Sequence, residues 1–201
     1  MTTTLIIGVY IACEIIANVT AAKPVLLPGN IVVPAAVFIY AITFTLIDLV
    51  NEKLGKQGAR YVVYTAFLAN LLLAAYSQFA IRLPAAPFYG DEEQAAFVSV
   101  LGSTWRIVLA SLIAYLVSTL IDVQVFAWWR ELVGRYRWAR VLLSNSVSTL
   151  IDSTMFITIA FLGVMPVLPL IAGQYVVKMA VTVVSIPLIY AVKVRRVPAA
   201  V

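Results

Sequence analysis

Apolar residues gather into six blocks along the chain, separated by short gaps in which the charged residues, prolines and glycines collect. The blocks span residues 5–22, 31–50, 61–81, 107–129, 141–162 and 168–192. Crossing about 30 Å of hydrocarbon takes about 20 apolar residues in a helix, so each block is long enough for one crossing. The pattern predicts an all-α, polytopic membrane protein with six transmembrane helices. The first gap carries Lys23, Pro24, Pro28 and Gly29 and the last carries Met165, Pro166 and Pro169; both read as tight hairpins. No gap is long and polar enough to fold separately, so residues 1–201 are expected to form a single transmembrane domain.

One phrase is used twice. Val117-Ser118-Thr119-Leu120-Ile121-Asp122 recurs as Val147-Ser148-Thr149-Leu150-Ile151-Asp152, with a shorter echo at Thr45-Leu46-Ile47-Asp48. The two full copies fall on consecutive and therefore antiparallel spans, which suggests an inverted pseudo-repeat of the kind transporters use to frame a midplane site. The alternative is coincidence among residues common in spans. Each copy ends in an aspartate within apolar sequence. A carboxylate there costs about 2.5 to 3.5 kcal/mol at a helix centre on insertion scales, so it faces a partner, a cavity or a substrate.

Composition supports the membrane assignment, since 63% of residues are hydrophobic and 11% charged, with a mean hydropathy of +1.02. The net charge of +5 does not point to nucleic acid, because the basic residues sit in short gaps. Lys53, Lys56 and Arg60 lie in the second gap, Arg130, Arg135, Arg137 and Arg140 in the fourth, and Lys193, Arg195 and Arg196 after the last block. Positive charge marks cytoplasmic loops, so both termini are expected in the cytoplasm of a multi-pass protein of the inner membrane. The third gap carries Asp91, Glu92 and Glu93 and should face outside. The first block has no basic residue ahead of it and is expected to be a retained span.

Enzymatic and metal chemistry find little support. Cys13 is the single cysteine and there is no histidine, which removes a cysteine cage and the commonest proton shuttle and metal ligand. Neither a Gly-rich phosphate loop nor a zinc-binding His pair is present. No metal, cofactor or enzymatic activity is expected. The four tryptophans stand at block ends, as in an interfacial belt.

Depth, at 1.5 Å per residue, sorts the charges inside the blocks. Glu14, Asp152 and Lys178 fall near mid-membrane, whereas Asp48 and Asp122 lie near the cytoplasmic ends. Helical spacing gives them polar company: Glu14 with Asn18; Asn145 and Ser148 with Asp152; Gln174 and Thr182 with Lys178; and Ser111, Tyr115 and Ser118 with Asp122. Several helices can thus aim polar stripes at one cavity. Single Ser and Thr residues are read as packing. Glu14, Asp152 and Lys178 are read as functional, because a buried ion pair contributes little net stability. Asn70, Ser77 and Gln78 either line the same cavity or satisfy one another.

At the end of the second block the chain reads Asp48-Leu49-Val50-Asn51-Glu52-Lys53-Leu54-Gly55, then Ala59-Arg60. This resembles the Asp-x-x-Asn-Glu-x-x-Gly signature of the queuosine precursor transporter family, also called the vitamin uptake transporter family. Asn18, Asp122-Val123-Gln124-Val125-Phe126, Asp152 with Phe156, and Lys178 with Pro187 are similar to that family's pattern in the same order, so the resemblance covers nearly the whole chain. Glu14 has no counterpart in the signature, and its candidacy rests on burial.

The resemblance implies import of 7-cyano-7-deazaguanine or its 7-aminomethyl analogue, a small planar purine-like substrate. The residues suit such a ring. A carboxylate accepts from N1–H and the exocyclic amine together, and O6 needs a donor. Asp152 or Glu14 supplies the first function, and Lys178, Asn18, Asn145 or Gln174 the second, with Tyr40, Phe44, Tyr115, Phe156 and Tyr175 as aromatic faces. Asp48, Asn51, Glu52, Arg60 and Asp122 are too shallow for that cavity and are read as a gate or loop lock. The competing expectation is the substrate-binding subunit of an energy-coupling-factor vitamin importer.

Overall fold

The computed structural model describes residues 3–132 and 137–191; within its helices the described side chains exclude 41, 44, 45, 48, 49, 51, 52, 56, 119, 120, 122–145 and 185–191. The order of elements is α1 (Thr3–Thr20), β1 (Pro24–Leu27), β2 (Ile31–Pro34), α2 (Val37–Arg82), α3 (Asp91–Leu101), α4 (Thr104–Leu132), α5 (Arg137–Phe161) and α6 (Val167–Ala191). Four helical stretches are long and apolar enough to cross a membrane among the described residues: Thr3–Thr20, Gln57–Arg82, Asp91–Ser118 and Val167–Val184. Ser146–Phe161 is apolar but shorter. Leu68, Leu72, Tyr76 and Phe79 are exposed along one length of α2. Such a surface suits hydrocarbon better than water.

The first gap is not a plain turn, and the all-α expectation needs correcting there. Pro24 to Leu27 pairs antiparallel with Ile31 to Pro34, so the start of the second apolar block is strand rather than helix. The physical cause is local. Val32 and Val33 are β-branched and favour extended backbone, Pro34 would interrupt a helix, and the connecting Gly29 (φ 82°) and Asn30 (φ 62°) adopt the left-handed conformation that reverses the chain. The hairpin's own ladder, closed by Ala35 N–H donating to the Lys23 carbonyl at 2.8 Å, satisfies backbone that apolar surroundings would otherwise leave unpaired. β2 packs on α6, where Gly173 approaches so closely that a Cβ would collide with the Val32 carbonyl oxygen.

A second correction concerns the gap between the second and third blocks. Residues 51–60 are helical on either side of Gly55, whose φ of 71° and ψ of 176° kink α2 into two helical arms. That combination is essentially restricted to glycine. The third gap, too, is partly helical: α3 begins with Asp91, Glu92 and Glu93 in its first turn, where negative charge meets the positive end of the helix dipole.

Two apolar clusters hold the helices together. One joins Ala17, Ala21, Ala36, Ile107, Ala110, Ile157, Phe161 and Leu170, knitting α1, the start of α2, α4, α5 and α6. The other joins Ile6, Tyr10, Cys13, Leu46, Val50, Val62 and Ala66, knitting α1 to both arms of α2. Glu14 lies between Cys13 of one cluster and Ala17 of the other. Arg106 of α4 fixes the far end of α5, donating from Nε to the Ile159 carbonyl at 2.5 Å and from a terminal guanidinium nitrogen to the Leu162 carbonyl at 2.8 Å.

Candidate functional site

Four helices bring polar groups to the junction of the two clusters. On α1, Glu14 and Asn18 stand one turn apart. Asn18 Nδ2 donates to the Glu14 carbonyl at 3.1 Å and to Asn70 Oδ1 at 2.8 Å, and Asn70 Nδ2 donates to the Ala66 carbonyl at 3.0 Å. Both asparagines are nearly inaccessible, at 5% and 3% exposure. Both amide protons of Asn18 are thus engaged by protein, and the pair clamps α1 to α2.

From α5 and α6, Asp152 and Lys178 form an ion pair through Asp152 Oδ2 and Lys178 Nζ, with side chains 19% and 12% exposed. The ammonium also lies over the Tyr40 ring, 5.2 Å from its centroid, a favourable cation–π placement. Lys178 lies in the electrostatic field of Glu14, as do Tyr10 and Thr43, and the Thr43 hydroxyl donates to the Tyr40 carbonyl at 2.7 Å. On the same pair of helices, Ser146 Oγ and Tyr175 OH are 2.7 Å apart. Gln174, one turn before Lys178, is only 4% exposed.

These groups line a common cavity. Its wall includes Glu14, Asn18, Tyr40, Ser111, Asp152, Phe156, Gln174 and Lys178, together with Pro34, Ala36 and Val37 where the hairpin meets α2. About 500 Å³ of space here is unoccupied by protein atoms, its open mouth included. Two aromatic rings, Tyr40 and Phe156, share this wall with three ionisable side chains and two amides. The arrangement can bind a planar, hydrogen-bonding molecule through its edge and its faces.

Of the residues singled out in the sequence, Glu14, Asn18, Asp152, Gln174 and Lys178 come together here. The side chains of Asn145, Asp48, Asn51, Glu52 and Asp122 lie outside the described residues. Arg60 is exposed and is not part of the cavity wall. Among the aromatic candidates, Tyr115 packs edge-on against Phe67, with centroids 5.5 Å apart, and Phe44 lies outside the described side chains. The sequence reading missed the hairpin end of the wall, because residues 31–34 had been counted into a span; the Gly29-Asn30 turn and Pro34 were the available signals. It also missed Tyr10 and Thr43 beside Glu14, which helical spacing of i, i+4 could have found for Tyr10.

Comparison with known proteins identifies the family. Residues 34–192 match the family described as "Putative vitamin uptake transporter". A protein of Bacillus subtilis (strain 168), named "Probable queuosine precursor transporter", is 33% identical over 159 residues, covering 77% of this chain and 69% of that protein. No solved structure matches. With the family match running from the hairpin to the end of the last apolar block, the chain belongs to the vitamin uptake transporter family.

Proposed function

We propose that the protein is a secondary transporter that imports a queuosine precursor, 7-cyano-7-deazaguanine or 7-aminomethyl-7-deazaguanine, across the cytoplasmic membrane. In this reading it forms a single domain of six spans with both termini in the cytoplasm. The observation that carries it is the Asp152–Lys178 pair in the cavity wall. A guanine-like ring offers, side by side, an amine, an N–H and a carbonyl oxygen. A carboxylate beside an ammonium offers two acceptors and a donor in the complementary order. Tyr40 and Phe156 would stack on the ring, and Gln174 would add a donor or acceptor at its margin.

The B. subtilis relative supports the substrate class by its name. The family match gives no support to the energy-coupling-factor alternative. Asp48, Asn51, Glu52, Arg60 and Asp122 remain the proposed gate or loop lock, and Asn145 remains a proposed contributor to the site.

The test is binding of the two precursors to the purified chain, beside uptake by proteoliposomes that contain nothing else. Asp152→Asn replaces one acceptor by a donor that opposes the ring's own N–H groups. Affinity should fall by about 1 to 3 kcal/mol for the unsatisfied buried pair, while the nearly isosteric amide preserves the fold. Unchanged binding by this variant would place the site elsewhere, and uptake only with added ATPase subunits would favour the alternative.

A further inference from the structure

The ring reading engages Asp152 and Lys178 but leaves Glu14 without a task. Among the described residues the cavity wall carries two carboxylates and one ammonium, and that ammonium is paired with Asp152. Among the described residues Glu14 has no ion pair of its own. Its flanking groups are the neutral hydroxyls of Tyr10 and Thr43, and the cation in its field is Lys178, shared with Asp152. The other described basic side chains are elsewhere: Lys23, Lys53, Arg60 and Arg82 are exposed, and Arg106 is bound to the carbonyls of α5. An enclosed carboxyl group without a counter-charge either holds a proton or is stabilised in its charged form by a cation brought to it.

A second observation shows that the cavity is shaped for an occupant. Gln174 lines it, is 4% exposed, and makes no hydrogen bond among the described residues. An amide open to a cavity is available to donate to and accept from a polar ligand there. Lys178 is paired with Asp152, and Glu14 lines the same wall.

We propose that Glu14 is a cation subsite that takes an ammonium group carried on the planar substrate, so that the cavity prefers a singly charged cationic ring to a neutral one. The inference rests on the ring reading above. On a 7-deazaguanine, the substituent at position 7 lies next to O6. With the amine and N1–H on Asp152 and O6 on Lys178, that substituent points along the wall toward Glu14. An ammonium there makes the loaded cavity electrically neutral and gains a charge-assisted hydrogen bond.

The experiment compares three probes on the purified full chain: 7-aminomethyl-7-deazaguanine, 7-cyano-7-deazaguanine and unsubstituted 7-deazaguanine. The wild-type protein is expected to bind the aminomethyl compound at least about tenfold more tightly than either neutral ring. Glu14→Gln should remove most of that preference by weakening the aminomethyl compound at least about fivefold more than either neutral ring. The wild-type comparison needs no variant, so a misfolded Glu14→Gln protein does not decide the matter. Equal binding of all three probes by the wild-type protein, or tighter binding of the nitrile, would overturn the cation subsite and leave the ring reading standing. Uniform loss of all three in a folded Glu14→Gln protein would overturn it also. Failure of every probe to bind the wild-type protein would overturn the ring reading itself, and the subsite with it.

Discussion

Asn18 shows at the level of one side chain how burial reassigns a role. The sequence places it in the substrate set, and it does border the cavity, but both of its amide protons go to the Glu14 carbonyl and to Asn70. Removing either asparagine leaves its partner buried and unsatisfied, at about 1 to 3 kcal/mol. Asn18→Ala and Asn70→Ala should therefore lower the thermal unfolding temperature in detergent by similar amounts. The double variant should be less damaging than their sum, since both ends of the lost bond are gone. Strict additivity would show that the clamp is not formed. Glu14, Asp152 and Lys178 were legible from the sequence because a charge in an apolar block needs a reason to be there. The Asn18–Asn70 bond was not, because nothing local tells an amide in α1 which of several polar residues in later helices it will meet.

Among the elements, α2 gives a physical meaning to the glycine that closes the Asp-x-x-Asn-Glu-x-x-Gly phrase. Gly55 is the one non-helical residue between the two arms of α2, with a φ of 71° and ψ of 176°, so an L side chain there is strained by about 1 to 3 kcal/mol. Gly55→Ala is expected to lower stability by that amount and to slow uptake. Space is not the obstacle, since a Cβ at this position meets nothing within 4 Å; a neutral result would mean that the arms tolerate a straight junction. The end of α5 makes a parallel case. Arg106 reaches two terminal carbonyls of that helix, and a cation at a helix C-terminus is worth up to about 2 kcal/mol when partly buried. Arg106→Met should lower the melting temperature, and Arg106→Lys should recover part of the loss, because lysine keeps the charge without the two-pronged geometry. Block lengths anticipated where helices run. They did not reveal the hairpin, since residues 31–34 are as apolar as the helix that follows, and only the turn residues before them and Pro34 after them mark the difference.

For the whole molecule, orientation is the most accessible test. Lys53 and Glu92 are both exposed, and the native thiol of Cys13 is buried, so introduced cysteines should label over a low background. Glu92→Cys is expected to react with a membrane-impermeant thiol reagent on intact cells, and Lys53→Cys only after permeabilisation; the reverse pattern would invert the proposed topology. The hairpin bears on a different question, the order in which the protein is built. β2 is covered by α6, with Gly173 pressed against the Val32 carbonyl, yet α6 is the last described helix of the chain and the hairpin follows the first. During synthesis the hairpin and the wall it forms must wait for nearly all of the remaining helices before their cover arrives. The cavity is therefore completed late, and a chain halted before α6 would lack Gln174, Lys178 and the surface that seats the hairpin, leaving no partial site to function on its own.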